Sequence, residues 1–600
     1  MLNMNKKMIL FNVTPLNTDV TDLSKFEEKV AKAKESGATH ILVTEVEKSR
    51  WIWERDRSDP YPNWGMLYSS LFKIIVPDEL KKWLPLDYAQ RNFELVRARA
   101  EICRHYGLKC AAYFTEPFYL PEEVYRVYPD YRGPRCDHPR RARNSYYSPC
   151  TDNPKVLDMY RQAMRKLCEV CDIDYVYLYT NDSGAGLCWS SGLYDGLNGP
   201  EHCRNISMAQ RIIGFFKAFR QGASDAGRKI MIETNNNIGL KSNERTMDSV
   251  WPLLEDGTAV NYKTNKNTPL SSLVDVNYEY TFAPVRNIPL IMMFLEQLEQ
   301  GWREESEVLR IVIMDDDWDE YYKIAREFFS KPTDGLKSRV DLLSRVAEQI
   351  AGISTGKSLV EVWNQVEMGR KHFFDAYNEG LSWCSVNQRL INRPFVLFPS
   401  ELTPDEKDYY RPFQFQANDE QHTYDLMDNQ CTTFIRGHYA AFLATRSLGL
   451  AMNCMANASK ICREAAENLG GGTNEKFRLG SDRLKLLNCF IQNYIDAIRF
   501  QKIVDSTDYS ASPEVSSMLG ISADPRLTEF EWINRMEVDN TYTLIGLIQD
   551  REAEMLVLAP SEELEDCFWL SPKITEQLKK RADIMLNHQL DGKRMYVTYN

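Results

Sequence analysis

Along the first 330 residues, short runs rich in β-branched and aromatic residues alternate with stretches whose apolar residues recur at helical spacing. Candidate strands fall at residues 8–13, 40–44, 109–115, 175–180, 229–234, 259–263, 289–294 and 309–314. Between them, 23–36 and 93–106 carry apolar residues three and four apart, and the second stops at Gly107, a residue suited to the left-handed turn that closes a helix. A third helix is predicted over 154–170, with Asp152 read as its N-cap. Strands that alternate with helices build a parallel sheet, and eight such units predict a closed (β/α)8 barrel rather than an open doubly wound sheet. No Gly-x-Gly-x-x-Gly follows the first strand, which runs straight into Thr14-Pro15-Leu16, so dinucleotide binding is not expected.

Beyond residue 333 the pattern changes to long helical stretches at 335–352, 358–391, 424–467 and 475–505, with a connector rich in Ser, Asp and Pro at 506–530. Gly470-Gly471-Gly472 lies between helices without a P-loop lysine and reads as a turn. Single cores stop growing at roughly 250 to 300 residues, so a 600-residue chain must divide. The predicted division is a (β/α)8 TIM barrel over 1–332 followed by a mostly α-helical domain over 333–600.

Composition narrows the partners. A net charge of −12 disfavours nucleic acid, which needs a clustered basic face, and the one locally basic run, 132–143, has turn composition. Residues 8–13 are too few for a signal-peptide core, and no stretch reaches the ~18 apolar residues of a membrane span. A cytoplasmic protein without membrane contact is expected. Fourteen cysteines lack framework spacing and read as reduced, buried thiols; the one Cys-x-x-Cys, Cys168 to Cys171, has no second pair. No metal and no cofactor is therefore expected.

In such barrels the chemistry sits at the C-terminal ends of the strands. Glu45 and Glu47 follow the second predicted strand, Glu116 the third, and Asn181 and Asp182 the fourth; Glu233 lies in the fifth. Glu296 and Glu299 follow the seventh, and Asp315, Asp316 and Asp317 the eighth. Glycoside hydrolysis needs two carboxyl groups, one to protonate the leaving oxygen and one to activate water or attack the sugar, and this face supplies many. The segment from Tyr179 to Trp189 combines Asn181, Asp182, two glycines that admit close backbone approach, and an indole face. The competing reading makes Asn181 and Asp182 helix caps. Asn235 opens a polar run after Glu233 that suits sugar hydroxyls, His202 is the histidine nearest the fourth strand's loop, and the three aspartates from 315 read best as a helix opening.

Three stretches resemble the α-glucuronidase family of glycoside hydrolases. Asp152-Asn153-Pro154 through Asp174-Tyr175-Val176-Tyr177-Leu178-Tyr179-Thr180-Asn181 is similar to the family's approach to strand four, which ends in Asn-Ser-Glu-Gly with the Glu as general acid. Here Ser183 stands in the acid's place and Asp182 lies one position earlier. Val260-Asn261-Tyr262-Lys263 is similar to strand six, although the family's following Asp is matched only by Asp275 with a gap. Ile288-Pro289-Leu290-Ile291-Met292-Met293-Phe294 through Glu299 resembles strand seven and its general base. The family's arginine at strand five has no counterpart in Met231-Ile232-Glu233-Thr234, so a neutral or amino sugar is as consistent as glucuronate.

The resemblance implies a barrel with a helical C-terminal domain and an inverting, exo-acting glycosidase. Asp182 is then the general acid and Glu299 the general base, with Glu116, Asn181, Trp189, His202, Glu233, Asn235 and Lys263 at the sugar. Substrate-assisted hexosaminidase chemistry, a metal-dependent sugar isomerase and a degenerate barrel that only binds carbohydrate are the alternatives. The partners expected are an oligosaccharide or glycoside and, at most, a second copy of the chain in a homodimer.

Overall fold

The computed structural model describes residues 7–14, 20–46, 69–136, 145–179, 187–189, 198–234, 258–260, 269–276, 282, 284–313, 319–378, 390–398, 401–410, 438–469, 471–506, 525–559, 561, 562, 565 and 570–591. The chain divides into two compact units. One gathers Met1–Val276, Phe294–Met314 and Tyr321–Gly335, and the other Asn277–Met293, Asp315–Glu320 and Leu336–Asn600.

The first unit is built on strands β1 (Met8–Asn12), β2 (His40–Leu42), β3 (Lys109–Thr115), β4 (Ile173–Tyr179), β5 (Met231–Thr234), β6 (Thr258–Val260), β7 (Ser271–Asp275) and β8 (Val308–Val312). They form one sheet in the order β6-β5-β4-β3-β2-β1-β8-β7, each neighbouring pair parallel. This is the cyclic order of a (β/α)8 barrel cut between β6 and β7. Among the described residues no ladder joins those two strands, so the expected barrel order is present while its closure is not.

Helices α1 (Leu23–Glu35), α2 (Leu86–His105), α3 (Pro154–Val170), α4 (Met208–Asp225), α5 (Ile291–Arg303) and α6 (Glu320–Ser330) belong to the strand connections. Their starts follow from local chemistry. Asp22 accepts from the Lys25 N–H at 3.0 Å, and Ser207 with Gln210 forms a reciprocal capping box. Asn153, not Asp152, caps α3, through its side-chain oxygen to the Lys155 N–H at 2.9 Å. Gly107 closes α2 at φ 63°.

One predicted strand is wrong. Residues 289–294 were expected to be strand seven, but Ile291 opens α5, and the strand between β6 and β8 is Ser271–Asp275. A short apolar run does not by itself distinguish a strand from the buried face of a helix. The true β7 opens with two serines and ends in an aspartate, so its polarity hid it.

Leu10, Leu42, Ala111, Tyr175 and Val308 pack together inside the sheet's curve, with Met8, Tyr113, Tyr177 and Met231 against them. Each fully buried residue of this size contributes about 1.5–3 kcal/mol. On the outer face, α3 buries Val156, Met159, Tyr160, Ala163, Met164 and Leu167, a stripe at helical spacing.

The second unit is a stack of long helices: α7 (Leu336–Asn378), α8 (His438–Glu467), α9 (Gly471–Ser506), α10 (Pro525–Ile548) and α11 (Ile574–Asn587). Each packs on the next, α7 on α8, α8 on α9, α9 on α10 and α10 on α11. Gly352, at φ 78°, breaks α7 in a conformation that a residue with a Cβ seldom takes. At the centre of α10 and α11 a wholly buried Arg581 pairs with Glu537 at 2.7 Å. Among the described residues no helix is long and apolar enough to cross a membrane.

Candidate functional site

Residues at one register level of a parallel sheet share a face. Inward-facing Leu10 is level with Arg310 of β8, and Arg310 with Leu273 of β7; Tyr113, Tyr177 and Glu233 are level across β3, β4 and β5. One inward step further toward the C-terminal ends lie Asn12, Val312 and Asp275. The concave side thus carries an arginine, two phenols and Glu233 beyond the apolar level of Val308, Ala111 and Tyr175, with Asp275 at the end of β7.

Glu233 is the centre of this group. Its side chain is wholly buried, its Oε2 accepts from Ser271 Oγ at 2.8 Å and lies 2.9 Å from Arg310 Nε, and its Oε1 is buried without a hydrogen-bond partner. Burial pushes its carboxyl above the usual range, with Arg310 and Ser271 pulling the other way. The Arg310 guanidinium sits 4.1 Å over the Tyr177 ring, which stacks on Tyr113 with centroids 5.3 Å apart. Burial works against the Arg310 charge, but Glu233, Tyr177, Asp275 and Tyr113 outweigh it and hold the guanidinium more firmly protonated than usual. Asp275 ends β7, half-buried, with its backbone N–H donating to Gln297 Oε1 at 2.9 Å. Arg310 thus faces two carboxyl groups, those of Glu233 and Asp275.

The other expected site residues divide. Glu116 follows β3 but its carboxylate is enclosed: Oε1 accepts from Ser70 Oγ and the Leu71 N–H, both at 2.7 Å, and Oε2 from the Tyr160 hydroxyl of α3 at 2.8 Å. Tyr160 lies on the outer helical layer, so the Glu116 carboxylate points away from the concave side. Glu45 is likewise buried, accepting from Ser69 Oγ at 3.2 Å.

Glu299 does not stand at a strand end. It lies in the third turn of α5, buried, where the Thr333 hydroxyl donates to Oε1 at 2.6 Å. Two residues on, Gly301 abuts Ser272 and Leu309, near the N-terminal ends of β7 and β8, so this part of α5 is level with the wrong end of the sheet for a general base. The misplacement follows directly from taking 289–294 for a strand.

Trp189 and His202 lie near each other, beside a cluster of cysteines. The Trp189 indole N–H donates to Pro200 O at 3.0 Å and Arg204 lies 5.4 Å over its ring, while His202 Nε2 is 3.4 Å from Cys150 Sγ. Both belong to the surroundings of a small buried cluster of Cys150, Cys188 and Cys203. Asn181, Asp182, Asn235 and Lys263 lie outside the described residues, as do Asp315, Asp316 and Asp317.

Sequence reasoning missed Arg310, Ser271, Tyr113 and Tyr177, and met Asp275 only as a gapped match. A signal for Arg310 did exist. A lone arginine inside Val308-Leu309-Arg310-Ile311-Val312 must face a buried partner, because charges are seldom buried unpaired.

An eight-stranded parallel sheet with barrel strand order, a polar group on its concave side and a helical unit in the same chain define an α/β-barrel type of protein. Among solved structures the chain matches a GH138 enzyme targeting pectin rhamnogalacturonan II, over 99% of this chain and 69% of that one, with TM-score 0.52 and 8% identity. It also matches the GH36 α-galactosidase AgaA from Geobacillus stearothermophilus over 54% and 41% of the two chains, TM-score 0.30 and 11% identity. The pneumococcal virulence factor StrH matches over 58% and 92%, TM-score 0.31 and 10% identity. The first likeness establishes a shared fold with a glycoside hydrolase, and the other two are too distant to add to it. No protein-family model and no curated protein matches the sequence.

Proposed function

We propose that the protein is a glycoside hydrolase working at the concave C-terminal mouth of the sheet. The observation that carries the reading is Glu233, a fully buried carboxylate oriented by Arg310 and Ser271 with one oxygen left unpartnered. Desolvating a charge costs several kcal/mol even when it is paired, and such groups concentrate at functional sites.

In this reading Asp275 takes the general-base role first given to Glu299, and Asp182 keeps the acid role. Water deprotonated by the base attacks the anomeric carbon from one face, while the acid protonates the departing oxygen on the other, inverting the centre. Glu233 and Arg310 fix the polar edge of the sugar, and Tyr177 and Tyr113 offer it an apolar surface. Cleavage from a chain end and the α-glucuronidase likeness rest on the sequence. Pectic oligosaccharides join the substrate panel because the neighbour that shares the fold is described as targeting pectin rhamnogalacturonan II.

The test is turnover on aryl glycosides and pectic oligosaccharides, with product anomer read by NMR. Asp182→Asn and Asp275→Asn should each lose at least ~10²-fold, the usual share of a general acid or base, while Glu299→Gln stays within a few-fold of the parent. Full activity in Asp275→Asn with collapse in Glu299→Gln would overturn the base assignment. Calorimetric binding of oligosaccharide without cleavage of any panel member would replace the hydrolase with a sugar-binding barrel.

A further inference from the structure

Three cysteines that the sequence scatters over more than fifty positions meet in the first unit. Cys150 follows the hairpin strand Tyr147–Pro149, Cys188 lies in the short segment after β4, and Cys203 ends the 3-10 turn Glu201–Cys203 that leads into α4. All three are fully buried. One ligand atom from each, together with a carboxylate oxygen of Asp152, lie within 4.8 Å of one another. We propose that Cys150, Cys188, Cys203 and Asp152 bind a structural divalent metal ion of the zinc class.

The geometry supports a tetrahedral ion. With zinc–sulfur bonds of ~2.3 Å, the sulfurs of a tetrahedral site stand about 3.8 Å apart. The Cys150 and Cys188 sulfurs are 3.6 Å apart, and no pair in the set is more than 4.8 Å apart, so at most about an ångström of contraction, which side-chain rotation supplies, closes the site. Asp152 brings a largely buried carboxylate to the three sulfurs, a hard oxygen donor that completes a four-ligand set.

The surroundings have the character of an outer coordination shell. Arg211, almost wholly buried, donates from Nη1 to Cys188 O at 2.8 Å and from Nη2 to Cys203 O, and its Nε lies 3.2 Å from Asp152 Oδ2. One guanidinium therefore positions three of the four ligand residues and offsets part of the charge of three thiolates and a carboxylate around a dication. His202 Nε2, 3.4 Å from Cys150 Sγ, is placed to donate its N–H to a metal-bound sulfur, an outer-shell bond of the kind that steadies such sites. Four protein ligands leave no position for water or substrate, so the ion's task is structural. It cross-links the approach to α3, the segment after β4 and the approach to α4, and Cys188 lies only six residues beyond Asp182 in the chain. The Cys-x-x-Cys pair, Cys168 and Cys171, has no part in it.

The experiment uses the full chain purified without an immobilised-metal resin. Mass spectrometric metal analysis should find one zinc equivalent per chain, reduced at least several-fold in Cys188→Ser and Cys203→Ser. Exchange with cobalt(II) should give thiolate-to-cobalt charge-transfer absorption and the intense d–d bands of a tetrahedral ion. Should the serine variants fail to fold, Asp152→Asn keeps the thiolates and should bind cobalt more weakly with a changed d–d envelope. A parent chain that carries no stoichiometric metal and develops no cobalt spectrum on titration overturns the proposal. So does peptide mapping under non-reducing conditions that finds a Cys150–Cys188 disulfide in the purified chain.

Discussion

Replacing Glu116 with glutamine should change how the stability of the barrel unit depends on pH. The carboxyl is wholly enclosed, and burial lifts it to about 7 in spite of the hydrogen bonds from Ser70, Tyr160 and Leu71 that favour its ionised form. In the unfolded chain an ordinary glutamate ionises at about 4.5. Between these values the folded protein holds a proton that the unfolded chain has lost. The contribution is full below the unfolded pKa, declines as pH rises through the window, and is gone above the folded pKa. At 1.36 kcal/mol per unit, the window from about 4.5 to 7 amounts to roughly 3 kcal/mol. Glu116→Gln keeps a carbonyl for Ser70 and Leu71 and turns an amide N–H toward the Tyr160 oxygen, which can accept it, so shape is preserved while titration is removed. Scanning calorimetry of parent and variant from about pH 5 to pH 8 gives the comparison, and other titrating groups cancel in the difference. The parent's melting temperature should fall relative to the variant's by roughly 6 °C across that range. A constant difference, or one that grows in the parent's favour as pH rises, would refute the account of Glu116 as a buried acid.

Two further outcomes follow from buried ion pairs. Arg310→Met should cost about 3–5 kcal/mol at neutral pH, because it strips Glu233 of its counter-charge in a dry site; denaturant titration followed by tryptophan fluorescence reads it, and an unaffected midpoint would contradict the pairing. In the helical unit, Arg581→Met removes the cation beside Glu537 and leaves it the amides of Asn493 and Asn540 and the carboxyl of Asp496, which burial and the charge of Glu537 already lift to about 8. A loss of similar size is expected there, and it should shrink when Glu537→Leu accompanies it, since an apolar replacement of the whole pair is better tolerated than half of it.

Much of the fold was legible because strands such as 109–115 and helices such as 154–170 carry their own periodicity, and the change to long helices near 333 needs no tertiary information. The seventh strand was not, because Ser271 and Asp275 are polar for the sake of the concave face, while Ile291-Met292-Met293-Phe294 mimics a strand from within a helix. That exchange carried the base assignment with it to Glu299. The acids at strand ends were visible, yet which way each points depends on alternation at the strand's last residue: Glu233 turns inward, and Glu116, one step past Thr115, turns outward. Convergence over long separations, as with Cys150, Cys188 and Cys203, leaves no local trace at all.

The interleaving of the two units governs how the protein can be made and taken apart. Residues 277–293 and 315–320 bracket β8 and its preceding helix in the chain, yet belong with the helices that begin at Leu336. Glu320 accepts from the Trp363 indole at 3.0 Å, and Phe282 rests on Phe373. A stop codon at residue 335 would therefore strand both segments without their partners. On the ribosome, both segments emerge before Trp363 and Phe373, so their packing waits for the helix that carries those two residues.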